Sequence, residues 1–315
     1  MPQTLTAANE HYFLDFEKSQ NEGGLFDLSQ WQCIEIGGPD ARDYLHRMST
    51  VDFKKFRPNE VRHGAFLTGK GQVLGLGMWF ESKPENFCFV VPPGTASPVI
   101  EHIEKFHFSE QFSVLLQNDG FLCGRWAGSS VPDLAVGSKE FELNSGLFAG
   151  VKYLAWRDDL RPELTWVKLA RTDVAAFLPA GLRFLGPDLF EYYRIRAGVP
   201  QFGIELSPKD ILLEANFDRA VARSKGCYPG QEVVERIFTY GSVNRKLCRV
   251  RCSSSNERLP LPLYCDGVPA GTLVSMAPEP RDLKRAVGLA FVQKRFWNQG
   301  ALTSENQSVT ATVVV

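Results

Sequence analysis

Lys225-Gly226-Cys227-Tyr228-Pro229-Gly230-Gln231-Glu232 sets one thiol between two glycines, with a lysine two positions before it and a Pro-Gly turn beginning two positions after it. In an extended segment residues i and i+2 share a face, so the Lys225 ammonium is expected beside the Cys227 sulfur. From Gln231 the pattern turns helical, with Val233, Val234, Ile237 and Phe238 apolar and Glu232, Glu235 and Arg236 polar. Cys227 is therefore expected just before a helix N-terminus. A neighbouring cation and the positive end of a helix both favour thiolate over thiol, which makes Cys227 the candidate reactive or ligand-contacting group and Lys225 its companion.

The charge around this stretch is local. From Arg223 to Arg251 there are seven basic residues (Arg223, Lys225, Arg236, Arg245, Lys246, Arg249, Arg251) against Glu232 and Glu235, a net of +5. The whole 315-residue chain has a formal net charge of −1, so no chain-wide attraction to nucleic acid or membrane is expected. A small polyanionic ligand is one reading of the basic segment. The plainer one is a solvated strand face, which Arg249 and Arg251 fit. In Cys248-Arg249-Val250-Arg251-Cys252 strict alternation puts both thiols on one side, expected as sheet packing, and both guanidinium groups on the other.

Further out, Ala41, Tyr44, Leu45 and Met48 fall at helical spacing, and Ser97-Pro98 opens another helical stretch through Ile100, Ile103 and Phe106. Thr172 or Asp173 is expected to cap Val174–Leu178, with Gly181 as its stop, and Asp188–Ala197 is expected as a helix ended by Gly198 and Pro200. Strand-like runs cover residues 87–91, 112–116, 164–169, 247–252, 286–292 and 309–315. Strands interleaved with a few helices predict an α+β body. Past about residue 245 the helical signal ends and Pro/Gly punctuation rises, predicting a small C-terminal β-barrel. The expected domains are 1–244 and 245–315.

Other chemistry is poorly signalled. Gly69 to Gly75 does not fit a dinucleotide or phosphate loop and reads as a hairpin turn. His102 and His107 are five apart, off the i, i+4 metal spacing, and His11, His46 and His63 show no partner in sequence. The seven cysteines include no C-x-x-C pair, so neither a disulfide framework nor a metal site is expected. Residues 1–17 contain no Lys or Arg and no apolar run approaches the ~20 residues of a membrane span, which reads as a cytoplasmic protein with no membrane partner.

The eight-residue stretch, followed by Arg236 and by Gly241-Ser242-Val243-Asn244-Arg245-Lys246-Leu247, closely resembles the signature of YgfZ-type folate-binding proteins, relatives of the glycine-cleavage aminomethyltransferases. Weaker resemblances cover most of the chain. They are Leu45 to Asp52, Phe66-Leu67-Thr68-Gly69-Lys70-Gly71-Gln72-Val73, Tyr193 to Pro200 and Leu213-Glu214-Ala215-Asn216. The resemblance implies a ring-like α+β core of two related halves around a central folate-sized opening, plus a C-terminal β-barrel. It also implies a tetrahydrofolate-dependent role in assembling or repairing iron–sulfur enzymes. The cofactor would be tetrahydrofolate or a one-carbon derivative, and the partners iron–sulfur client or assembly proteins. A folate wants aromatic walls, for which Tyr193, Phe202 and Tyr228 are candidates, and Arg forks for its carboxylates, for which Arg194, Arg196, Arg236 and Arg245 are candidates. Gln231 and Glu232 would help hold the loop and ligand.

Two departures bear on activity. Aminomethyltransferases carry an acidic pair where this chain has Gly75-Leu76, and a Glu where it has Arg196. Without those carboxylates ordinary glycine-cleavage transfer is not expected. The alternatives are a folate-dependent one-carbon transferase or demethylase acting on an unidentified amine, and a folate-free interaction scaffold.

Overall fold

A computed structural model describes residues 7–118, 120–127, 134, 142–178, 184–241 and 243–314. Two open sheets and a closed barrel carry the chain. The first sheet runs, edge to edge, Phe184–Leu185, Gly24–Asp27, Gly120–Trp126, Leu164–Ala170, Val151–Arg157 and Asn144–Phe148. The second, Val61–Leu67, Val73–Lys83, Asn86–Val91, Gln32–Gly37 and Ser113–Gln117, is inserted between the first sheet's strands at residues 24–27 and 120–126. The body is thus two α+β halves, one nested inside the other's sequence.

Each expected strand forms, with its edges moved by a few residues. The helix at Ala41–Met48 buries Ala41, Tyr44 and Leu45 against the second sheet, as its spacing requires. The next helix begins at Ala96, one residue before the expected Ser97, with Thr95 in the cap position and no side-chain cap bond. Asp173 likewise caps by position only, after a single 3₁₀ turn at Arg171–Asp173, and Gly181 lies outside the described residues. Pro187–Ala197 ends as expected, at Gly198 in the left-handed conformation.

The barrel closes in the order Arg245–Cys252, Asp282–Gln293, Val268–Glu279, Leu261–Cys265, Leu302–Thr303 and Thr310–Val314, the last pairing back to the first. Cys248, Val250 and Cys252 point into its core and Arg249 and Arg251 outward. No helix among the described residues is long and apolar enough to cross a membrane.

One long element was not expected from the sequence. Ala7–Asn21 is a helix that packs on Pro187–Ala197 and reaches the barrel. Its Tyr12 hydroxyl donates to the Pro278 carbonyl at 2.7 Å, and its Glu17 pairs with Arg281. Asp15 accepts from the Gly186 amide, and Ser19 shares a hydrogen bond with the Tyr193 hydroxyl.

Candidate functional site

The signature loop rests on the segment Leu45–Asp52. Ala222 donates its amide to the Thr50 carbonyl (2.9 Å), and the Thr50 hydroxyl bonds the Ala220 carbonyl (2.5 Å). The second anchor is Lys225, whose ammonium donates to the carbonyls of His46 (2.5 Å), Ser49 (2.5 Å) and Val51 (2.9 Å). Those acceptors lie at and just past the end of the Ala41–Met48 helix, where carbonyls lack intrahelical partners and a cation is favoured. Burial pulls the Lys225 ammonium down to about 7, with the Asp52 carboxylate acting the other way.

The third anchor is glycine geometry. Gly230 has φ +82, and a Cβ there would sit 2.6 Å from the Thr68 carbonyl oxygen and 2.8 Å from the Gly71 Cα. The Pro229-Gly230 turn therefore lies directly on the hairpin turn Thr68-Gly69-Lys70-Gly71, and only glycine permits that approach. The helix Gln231–Tyr240 starts there and buries Val234.

Held at three points, the loop presents Cys227. Of the seven cysteines it alone is exposed; Cys265 is half-buried and the other five are buried. The expected pairing with Lys225 is not what anchors the sulfur: the ammonium is buried on three carbonyls and against the Tyr228 ring (4.8 Å), while the thiol faces solvent. The i, i+2 rule does not hold here because the loop belongs to no strand ladder.

His46 is a site residue that the sequence did not reveal. Its Nδ1 lies 3.2 Å from the Asp52 carboxylate, and its Nε2 lies against Gly226, next to the thiol-bearing residue. Burial, helped by the nearby Lys225 charge, lowers its pKa and keeps the ring neutral. The ring is thus neutral and one residue from the exposed thiol, and its Nδ1 faces the Asp52 carboxylate without a hydrogen bond. A signal existed in the sequence, since His46 and Asp52 flank the Met48-Ser49-Thr50-Val51 turn, but six residues of separation do not announce a contact.

The remaining nominated residues divide into two groups. Tyr228 stays at the loop with a buried ring; its hydroxyl has no hydrogen-bond partner among the described residues, and burial pushes it up to about 12. Gln231 is half-buried at the helix start. Glu232 and Arg236 pair with each other at 2.8 Å on the exposed face of the helix, so neither is turned toward the loop's interior. Arg245, the further candidate fork, is taken by Asp210 (2.7 Å) and Glu214 (3.1 Å).

The second group sits on Pro187–Phe202. Arg194 is fully buried and saturated: Glu205 and Glu191 take its guanidinium in forked pairs and the Val199 carbonyl a further bond, leaving no fork for a ligand. Tyr193 stacks on Trp126 at 3.9 Å, with its hydroxyl held by Ser19 and Gln20. Phe202 and Leu76 are buried in the same large core cluster as Tyr193 and Tyr228. Arg196 is exposed and lines a cleft against the barrel. A Cβ at Gly75 would fall 2.4 Å from Val99, so packing leaves no room for a side chain at that position.

A cavity of ≈ 760 Å³ lies elsewhere, beside Lys152 and Lys168 on the first sheet, and none of the nominated residues lines it. No group of three or more His, Cys, Asp and Glu side chains able to hold a metal ion occurs among the described residues.

Comparison with known proteins bears on the family and the fold. The family model for the GCVT N-terminal domain matches residues 6–118. The iron–sulfur cluster assembly factor IBA57 of mouse mitochondria is 34% identical, over 92% of this chain and 84% of that protein. An aminomethyltransferase of Thermoanaerobacter pseudethanolicus is 22% identical over 97% of this chain and 88% of its own. The crystal structure of the glycine cleavage system aminomethyltransferase T from Bartonella henselae superimposes with a TM-score of 0.82 at 17% identity, covering 96% of this chain and 88% of that one.

Proposed function

This chain belongs to the IBA57 and YgfZ-type branch of the aminomethyltransferase superfamily, and we propose that it is a tetrahydrofolate-binding accessory protein in the assembly or repair of iron–sulfur cluster enzymes. The observation that carries the reading is the loop: one exposed thiol, Cys227, is held by a buried lysine and a glycine turn in a chain whose other thiols are buried or, at Cys265, half-buried. A construction of that kind suits a thiol meant to meet a protein or a cluster.

Tetrahydrofolate fits the loop in part. The buried, unpartnered Tyr228 hydroxyl suits the polar edge of a flat heterocycle, so Tyr228 is the residue that would hold it, while Lys225 is fully engaged by three carbonyls. Of the guanidinium groups nominated for its acid tail, Arg194, Arg236 and Arg245 are all in ion pairs. When bound, the group supplies a carrier of one-carbon units. The chain's own contribution is to present Cys227, with the neutral His46 ring behind its neighbour Gly226. One-carbon transfer to an amine is the weaker reading, because packing occupies the Gly75 position and Arg196 stands where a carboxylate would be needed.

The test is a thermal melt and a reconstituted maturation assay on the full chain. Tetrahydrofolate is expected to raise the melting temperature of wild type and of Cys227→Ala alike, by mass action, while Cys227→Ala loses support of cluster-enzyme maturation. No shift at saturating folate, or full activity in Cys227→Ala, overturns the reading.

A further inference from the structure

Between the Ala7–Asn21 helix, the last turn of Pro187–Ala197 and the barrel lies a cleft of ≈ 430 Å³ whose wall carries four guanidinium groups, from Arg196, Arg249, Arg251 and Arg281. Strand alternation aims two of them: Arg249 and Arg251 share the face opposite the buried Cys248, Val250 and Cys252. Aromatic rings back the other two, with Arg196 6.0 Å from the Tyr192 ring and Arg281 5.3 Å from the Phe16 ring. Glu279 is the carboxylate in the same wall. That these groups converge is visible at the Tyr192 hydroxyl, which burial raises, Glu279 raises further, and both Arg196 and Arg281 lower.

Compensation within the protein is thin. Arg281 pairs with Glu17 at 3.3 Å, both on the surface. Arg249 reaches the Arg196 carbonyl at 3.5 Å, a neutral acceptor at the limit of a hydrogen bond. Arg196 and Arg251 have no carboxylate partner among the described residues. Like charges gathered around one concavity repel unless an anion joins them. Planar forks bind carboxylate and phosphate two bonds at a time, and the volume is that of a small-molecule site.

We propose that this cleft is an anion site, separate from the signature loop, that takes a small molecule carrying two or more carboxylate or phosphate groups, with its less polar part against Tyr192 and Phe16. Two sources share that chemistry, an oligo-γ-glutamyl chain and a chain of phosphates. Calorimetric titration of tri-γ-glutamate and of tripolyphosphate into the full chain at low salt separates them, and neither probe carries a pterin, so the result does not depend on folate binding. The tighter probe is expected to bind in the micromolar to submillimolar range and to weaken as salt rises. Arg251→Ala should weaken it about tenfold, as expected for losing a charge-assisted hydrogen bond, and Glu279→Gln should tighten it, with both variants melting as wild type does. Failure of both probes to bind, or an affinity unchanged by Arg251→Ala and by the double variant Arg249→Ala/Arg251→Ala, overturns the proposal.

Discussion

The Lys225–Cys227 loop and the Cys248–Cys252 strand use the same two kinds of residue, a thiol and a cation, and bury them in opposite order. In the strand the thiols are inside and Arg249 and Arg251 outside; in the loop the lysine is inside and the thiol outside. The strand obeys its pleat because ladders to Asp282–Gln293 and Thr310–Val314 fix every residue's face. The loop has no ladder, and its direction is set instead by three carbonyls that need donors. What a cysteine does in this chain is decided by whether the backbone beside it is already satisfied.

The largest expected break in this contrast comes from Lys225→Met. Three buried carbonyls lose a donor, and Val51 keeps another in the Phe53 amide; at about 1–3 kcal/mol for each of the two left unsatisfied, about 2–4 kcal/mol of stability should disappear in a denaturant melt. A loss under about 1 kcal/mol would mean that water serves the carbonyls and the lysine is no anchor.

On the strand side the test is alkaline. Burial lifts the Cys252 thiol from 9.0 to about 12. Between those values the unfolded chain has released the proton and the folded chain has not, so the unfolded state binds fewer protons and stability falls as pH rises. Wild type should lose about 1–2 kcal/mol more than Cys252→Ala between about pH 9 and about pH 11. Over the same range a thiol reagent should label one cysteine fast in native protein, and that label should vanish in Cys227→Ala. Equal alkaline losses in wild type and Cys252→Ala would refute the buried thiol.

The smallest effect is expected at Arg251→Ala. An exposed guanidinium without a carboxylate partner contributes little to folding, so the melt should move by less than about 0.5 kcal/mol. A larger loss would make Arg251 a structural group and undo the symmetry between the two regions.

Much of this was legible in the sequence, for reasons that are local. The barrel strand announced itself by alternation, the hairpin at Thr68–Gly71 by its glycines, and the thiol loop by a rare run of residue types. What stayed hidden depended on partners far along the chain. The first helix buries Tyr12, Asp15, Phe16 and Ser19, a proper helical stripe, but two of its four members are polar and find their partners at Gly186 and Tyr193. Apolar periodicity cannot register such a face. Arg194 and Arg236 looked equally able to grip a carboxylate; one is saturated by Glu205 and the other by its own helix neighbour Glu232. The His46–Asp52 pair was masked by an ordinary turn.

The clasp between Tyr12 and Pro278 spans 266 residues. At a synthesis rate of ~5–20 residues per second, roughly 13–53 s pass between the making of one partner and the other. Within that interval Phe16 can already meet Tyr192 and Tyr193, but Tyr12 and Glu17 wait for Pro278 and Arg281, so the helix docks on the body before it is tied to the barrel.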